Sequence, residues 1–295
     1  MKVLPFKILK TRDQNLLFQI DRDTYFYGLL HQHEEIQISL IEKGSGNLLV
    51  GDSFMSFQEE DIIIFGKNLP HVLKSNEICS MVSIFFTKEC FGEDFFNLPD
   101  LEDISKFLDQ SDKGLKLLSN HEKIKELFHQ FSIATKLNRI QLFLSILDEI
   151  NKSEKKQLSS FLTGKEFTIN EGKRMSLVFD YLMKHIEKEV SLQEVANIAS
   201  MSKNAFCRYF KQRTNKNFFH FLIEIRIERA CGLLIKNSDL TISEISELCG
   251  FKNLSNFNRK FKEIKLVNPK TIKKQGLDLE GKLNAKNSKK TNDIN

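Results

Sequence analysis

Apolar positions recur with two different periods along this chain, and the change of period divides it. From about Tyr25 to Phe86, short runs of Ile, Leu, Val and Phe are broken by Gly, Asn and Asp. Glu35 to Ile41 (EIQISLI) alternates apolar and polar residues at period two, Lys43 to Asn47 (KGSGN) supplies turn residues, and Met81 to Phe86 (MVSIFF) reads as a further strand. Short strands this close together, with no helical stretch between them, predict an antiparallel sandwich or barrel.

From about Asp100 the period becomes helical. Ile124, Leu127, Phe128, Phe131 and Ile133, then Ile140, Leu142, Phe143, Ile146, Leu147 and Ile150, recur at spacings of three and four, which predicts two helices broken near Lys136 to Asn138 and folded as an antiparallel hairpin. Residues 151–173 are polar and lack sustained periodicity, as expected of a linker. From Arg174 to Lys274 the pattern is helical throughout, with Leu177, Val178, Tyr181, Leu182 and Ile186 on one face of the first helix.

Within that last stretch the chain repeats itself. Ser191 to Lys211 and Thr241 to Lys262 share an opening [ST]-x-[QS]-E-[VI]-[AS] and a closing F-x-R-x-F-K. Ser191 with Glu194, and Thr241 with Glu244, form capping boxes, in which the hydroxyl accepts from backbone N–H groups while the glutamate reaches back. A tight turn follows each short helix, with Gly250 suited to a left-handed backbone in the second, and Ser202 and Asn253 are N-caps for the helices beyond. Short helix, tight turn and second helix make a helix-turn-helix unit, present twice.

The pairs Phe206/Phe210 and Phe257/Phe261 are spaced to face inward. Lys203, Asn204, Cys207, Arg208 and Lys211 in the first copy, and Ser255, Asn256, Asn258, Arg259 and Lys262 in the second, then face outward, where they can reach a major groove. Arginine grips guanine O6 and N7 with two hydrogen bonds, asparagine does the same for adenine, and lysine neutralises phosphate. A helix from about Phe218 to Lys236 joins the copies; at about 1.5 Å per residue its length is about 28 Å, which with the flanking units sets the two reading helices roughly one DNA turn apart.

Charge sharpens this division. Residues 1–173 carry 21 Lys and Arg against 26 Asp and Glu, whereas residues 174–274 carry 19 against 10, so the basic footprint of a polyanion partner is confined to the repeat-bearing part. With 41% apolar and 28% charged residues the composition is that of a globular protein, and 295 residues suit two domains. The longest apolar runs fall far short of a membrane span, and charge interrupts the N-terminal stretch, so a cytoplasmic, nucleoid-associated protein is expected. The five cysteines are odd in number and scattered, which predicts free thiols.

The polar residues that stand out in the strand-rich part are His31, His33, Gln37 and His71. The run from Gly28 through His31, His33 and Gln37 to Gly44, and the run Gly66 to His71, resemble the two motifs of cupins. In metal-bearing members the matching histidines bind the ion together with a glutamate, whose place is held here by Gln37. A neutral amide is a weak ligand, so the expectation is a metal-free pocket in which these four residues hydrogen-bond a small ligand.

Residues 174–274 resemble the DNA-binding domain of the AraC/XylS family of transcription regulators, through SLQEVA and MSKNAFCRYFK, the RIERACGLL of the joining helix, and ISEISELCGFKNLSNFNRKFKE followed by Pro269. The resemblance implies base-reading positions at Asn204, Cys207 and Arg208, and at Ser255, Asn256 and Arg259. It departs where the family has a glycine after each Phe-Lys pair: Asn215 tolerates positive φ, while Leu266 is expected to force the second turn into another shape.

The expected fold is α+β in two domains: a cupin-like β-barrel sensor (1–98) with a helical hairpin as candidate dimerisation element (99–152), a linker (153–173), an all-α domain with two helix-turn-helix units (174–274), and a disordered tail (275–295). The implied function is sequence-specific promoter binding by an activator under control of a small effector, with double-stranded DNA, RNA polymerase and a second copy of the chain as partners. No cofactor, no catalytic residue and no membrane contact are expected. Two other readings fit the same residues: a metal-dependent cupin enzyme with a DNA-binding appendage, and a constitutive DNA binder whose barrel only dimerises.

Overall fold

The computed structural model describes residues 15–26, 29–75, 77–160, 168–236 and 239–274; Gly28 and the expected tail 275–295 lie outside them. The chain forms two compact units, with the main change-over between Ser176 and Leu177 and with Gln212–Asn215 grouped with the first.

The first unit is built on two antiparallel sheets. Strands β1 (Leu17–Thr24), β2 (Ile36–Lys43), β5 (Ile62–Phe65), β7 (Cys79–Phe86), β8 (Leu115–Leu117) and β9 (Lys155–Gln157) make the larger one in the order β1-β7-β2-β5-β8-β9. Strands β3 (Gly46–Val50), β4 (Ser53–Phe57) and β6 (His71–Lys74) make the smaller, in the order β4-β3-β6.

Side chains on the larger sheet alternate between two cores, as the pleat requires. Ile36, Ile38 and Leu40 of β2, Ile62 and Ile64 of β5, and Val82, Ile84 and Phe86 of β7 join one cluster with helices α1 (Glu102–Gln110), α2 (His121–Ile133) and α3 (Lys136–Lys152). Ile41, Ile63, Phe65 and Met81 face the other way and pack with Leu48, Val50, Phe57 and Leu73 of the smaller sheet. The hairpin of α2 and α3 is therefore continuous with the strand-rich part, since Phe128, Phe131, Phe143, Ile146 and Leu147 share the first core.

Three details depart from the sequence reading. A strand precedes Tyr25, where Leu17–Thr24 pairs with β7; its mixed polar sequence hides it because it is the edge strand. The polar stretch read as linker begins with Lys155–Gln157 paired to β8, and buried Asp52 fastens the residues just beyond, accepting from Ser159 Oγ at 2.7 Å and Ser160 N at 3.0 Å. The hairpin breaks at Ala134 and Thr135, ahead of the expected position, leaving Ile133 84% and Leu137 66% exposed.

Helix α4 (Ile169–Lys184) runs through the change-over, and its part in the second unit buries Val178, Phe179 and Leu182 and leaves Leu177 exposed. It leads to α5 (Leu192–Ile198), α6 (Lys203–Thr214), α7 (Phe218–Lys236), α8 (Ile242–Leu248) and α9 (Leu254–Lys265), and residues 269–274 are again helical. Helix α7 runs the length expected and packs at both ends. Phe218 and Phe221 near its start meet Phe206, Phe210 and Phe179, whereas Ile227, Ala230 and Leu234 farther along share a core with Ile245, Phe257 and Phe261. All five cysteines are free thiols. Among the described residues no helix is long and apolar enough to cross a membrane.

Candidate nucleic-acid interface and polar barrel cluster

The repeat folds the same way twice because its local chemistry is the same. Ser191 accepts from Glu194 N at 3.2 Å while Glu194 accepts from Ser191 N at 3.0 Å, and Thr241 and Glu244 do likewise at 3.2 and 2.7 Å. Two donors at each helix start are thus satisfied reciprocally. The short helices also end alike. Met201 N donates to Ala196 O at 2.9 Å and Ser200 N to Asn197 O at 2.9 Å; in the second copy Phe251 N donates to Ser246 O at 3.1 Å and Gly250 N to Glu247 O at 2.8 Å. This is a Schellman closure, with Ser200 (φ 53°) and Gly250 (φ 76°) in the left-handed position. Ser202 and Asn253 then cap α6 and α9, accepting from Ala205 N at 3.3 Å and Asn256 N at 3.0 Å.

Helices α6 and α9 present the faces their spacing predicts. Phe206, Phe210, Phe257 and Phe261 are fully buried. Lys203, Asn204, Cys207, Arg208 and Lys211 are exposed, as are Ser255, Asn256, Asn258, Arg259 and Lys262. The two faces differ in their internal contacts: Arg259 donates to Asn256 Oδ1 at 2.9 Å and lies 3.5 Å from the Glu263 carboxylate, so its guanidinium is held across the face by two neighbours.

Past the repeat, Leu266 overturns an expectation. It does not divert the turn; it caps α9 in the left-handed conformation (φ 62°, ψ 0°), as Asn215 does after α6 (φ 53°). Leucine bears the strain because its side chain is 83% exposed and nothing there competes with the backbone geometry.

In the first unit, the two histidine-bearing segments meet through backbone. His31 N donates to His71 O at 3.2 Å and His71 N to His31 O at 2.9 Å, while Asn68 N donates to His33 O at 2.8 Å. One ring nitrogen from each of His31, His33 and His71 lies within 4.8 Å of the others. In every ring Nδ1 faces a backbone carbonyl, of Leu29 at 2.8 Å, Glu35 at 2.9 Å and Leu69 at 2.8 Å respectively. His71 also stacks on Phe65, with ring centroids 4.0 Å apart.

Gln37 bridges the cluster from β2. Its Oε1 lies 3.1 Å from His33 Nε2 and 3.2 Å from His71 Nε2, and its Nε2 lies 2.8 Å from Ser39 Oγ, which in turn contacts Ser83 Oγ at 2.8 Å. Burial pushes the His31 ring down to about 4, although part of its surface remains open, and holds His71 well below the ordinary histidine range, with the neighbouring rings adding to the effect. A neutral His71 that donates Nδ1–H to Leu69 O has a bare Nε2, which requires a donor. Turning the Gln37 amide by half a revolution supplies it: the nitrogen then donates to both rings and the oxygen accepts from Ser39.

The structure brings His31, His33, Gln37 and His71 together, and adds Ser39, Ser83 and Phe65, which the sequence reading does not include. The alternation of EIQISLI puts Ser39 on the Gln37 side of β2, a signal that was available; the pairing of β2 with β7, which brings in Ser83, was not. Neutral His31 and His71 rings, His33 and a neutral amide form a donor and acceptor set suited to hydrogen-bonding a polar group. A single zinc ion at about 2.0 to 2.1 Å from each ring would set the nitrogens about 3.4 Å apart, closer than the widest pair here.

Among known proteins, residues 195–275 match the family model described as a helix-turn-helix domain. The HTH-type transcriptional regulator YdeC of Bacillus subtilis (strain 168) is 25% identical over 282 residues, covering 86% of this chain and 89% of its own length. The HTH-type transcriptional activator RhaS of Enterobacter sp. (strain 638) is 30% identical over 120 residues, 41% of each chain, so this match spans less than half of that relative. Among solved structures, the DNA-binding domain of AdpA, a global transcriptional factor in complex with a target DNA, is 23% identical and covers 33% of this chain and 87% of that one, with a TM-score of 0.32. ToxT of Vibrio cholerae O395 is 16% identical over 88% of this chain and 97% of that one, with a TM-score of 0.36.

Proposed function

The chain belongs to the AraC/XylS family of DNA-binding transcriptional regulators, and we propose that it reads promoter DNA with α6 and α9 as two helix-turn-helix readers in successive major grooves. The observation that carries this reading is the matched pair of exposed faces: each helix buries a Phe pair and turns an Arg, at least one Asn and a Lys outward. Arg208, Asn204 and Cys207 in the first, and Arg259, Asn256 and Ser255 in the second, contact base edges; Lys203, Lys211, Asn258 and Lys262 sit where phosphates pass. Helix α7, about 28 Å long over its 19 residues, spaces the two readers by roughly one helical turn of DNA.

The strand-rich unit supplies control. A small polar effector binds in the barrel at His31, His33, Gln37 and His71, and its binding alters promoter occupancy or contact with RNA polymerase, so that the protein acts as an activator. Supporting this is the neutral, hydrogen-bonded cluster in an otherwise apolar interior. The exposed Ile133 and Leu137 at the tip of the α2 and α3 hairpin support a homodimer seam.

Selection of bound duplexes from a random pool by the full-length protein, followed by footprinting, tests the reading. Two protected blocks centred about 10 base pairs apart are expected. A single block, or enrichment of no sequence, counts against it.

A further inference from the structure

The loop between α4 and α5 is held by three basic side chains that come from elsewhere in the second unit. Arg226, in the middle of α7, donates from Nε to Ile186 O at 3.0 Å and from a terminal nitrogen to Lys188 O at 2.6 Å. One turn on, Arg229 pairs with Glu187. Lys252, in the turn between α8 and α9, pairs with Glu189 at 2.8 Å. The same guanidinium also touches the second turn: a Cβ on Gly250 would stand 2.5 Å from Ile186 O and 2.8 Å from the Arg226 guanidinium carbon.

This loop runs directly into Ser191, the N-cap of α5, and so fixes where the first helix pair begins. Arg226 thus lies between the entrance to the first pair and the turn of the second. The fork geometry of arginine lets one side chain bind two carbonyls of the loop, those of Ile186 and Lys188, in a fixed plane, which a lysine cannot do. The apolar packing of α7 tethers each pair to one end of the helix, and Arg226 crosses its middle on two backbone carbonyls, with the Arg229–Glu187 and Lys252–Glu189 pairs beside it.

Resting on the reading of α6 and α9 as groove readers, we propose that Arg226, with Gly250 against it, is a positioning residue that sets the spacing and rotation of the two readers and thereby the half-site spacing the protein accepts. Arg226 itself touches no DNA. Its charge is engaged by the Ile186 and Lys188 carbonyls.

The test uses full-length protein carrying Arg226→Met, with Arg226→Lys as the milder variant should the first unfold. Four duplexes are compared, taken from those the parent selects: the bipartite site, each of its two halves alone, and the bipartite site with one base pair inserted between halves. Binding of the bipartite site is expected to weaken about 10-fold or more while each half alone changes less than about twofold, and the penalty for the inserted base pair shrinks. The slope of binding against salt stays that of the parent, since no phosphate contact is lost. Equal losses on half and bipartite sites, a salt slope lower by about one ion, or no loss at all overturns the proposal.

A second measurement needs no DNA and separates failure of this inference from failure of the DNA reading. Spin labels on the exposed Cys207 and on an introduced Asn258→Cys report the distance between α6 and α9. A narrow distribution that broadens in Arg226→Met supports the clamp, and an equally narrow one in both proteins sinks it, whatever the DNA results show.

Discussion

Ser200 and Gly250 hold the same left-handed position in the two helix-pair turns, at φ 53° and 76°, yet only Gly250 has a carbonyl oxygen 2.5 Å from where a Cβ would stand. The requirement for glycine in the second turn is therefore packing as well as backbone conformation. Gly250→Ala is expected to destabilise the second unit by about 2 kcal/mol or more, combining the left-handed strain with displacement of Ile186 or Arg226. Ser200→Gly is expected to stay within about 0.5 kcal/mol of the parent, because relief of strain is offset by greater freedom of the unfolded chain. Chemical denaturation of both variants checks the asymmetry.

On the proposed reading of α6 and α9, the exposed arginines divide the specific contacts between the two helices. Arg208→Ala and Arg259→Ala are each expected to weaken binding to the selected duplex by about 1–3 kcal/mol and to relax sequence preference in their own block, with a smaller effect on unrelated DNA. Arg259 starts tethered to Asn256 and Glu263. Asn256→Ala should therefore lower specificity in the second block beyond its own contact, by loosening the arginine. Footprints indistinguishable from the parent's would show that these faces do not enter the groove.

The helical half was legible because its determinants are local. Capping boxes, Phe pairs four residues apart and the length of α7 are each written within one turn or one helix, and each formed where its residues stand. The sheet was less legible for the opposite reason. Strand β1 alternates poorly because an edge strand buries little, and Lys155–Gln157 has the composition of a linker yet joins the larger sheet through β8. The histidines and Gln37 were singled out by type and spacing, Gln37 both as a missing carboxylate and as a hydrogen-bonding group of the pocket. Its role as a bridge between two rings depends on the meeting of His31 and His71, a contact across forty residues that no local pattern encodes.

Leu266 stores strain that another residue would not. With φ at 62° and an exposed side chain, it loses little by substitution. Leu266→Asn is expected to raise stability by about 1 kcal/mol, the cost of a left-handed backbone for a residue with a bulky Cβ substituent, and Leu266→Gly by less, because glycine also frees the unfolded chain. A loss of stability in urea denaturation would mean that the leucine is held by a contact worth more than the strain.

The buried rings make the strand-rich unit sensitive to mild acid. His31 is pushed down to about 4 and His71 is also lowered, so below the ordinary value of 6.5 the unfolded chain binds protons that the folded chain refuses. Stability is then full above about pH 6.5 and falls as the pH drops towards 4, by up to about 1.4 kcal/mol per pH unit for each ring. Glu149, which faces the hairpin lysines, is held below its ordinary value and loses its contribution only at lower pH, so the interval from pH 6.5 to 5 isolates the histidines. Free energies from amide exchange in β2 and β7 should fall across that interval, and His31→Gln should reduce the slope. A flat profile in the parent would mean that the rings are charged in the folded state.

Gln37 decides what the histidine cluster can hold. The amide contacts two rings whose Nδ1 atoms already face backbone carbonyls, the arrangement that fixes imidazole nitrogens as ligands. Gln37→Glu places an anionic donor of the same size at that point. Without a cation the buried carboxylate must either stay unpaired or draw a proton onto a buried ring, and either costs stability, so the variant is expected to unfold at lower temperature than the parent. Zinc should restore it: binding is expected to tighten at least about tenfold over the parent, with a matching rise in melting temperature that the parent does not show at the same concentration. Titration against a competing chelator gives the affinity and thermal unfolding gives the linkage. Equal zinc affinity in the two proteins would show that the amide already serves as a full ligand, and that its replacement of glutamate does not exclude a metal.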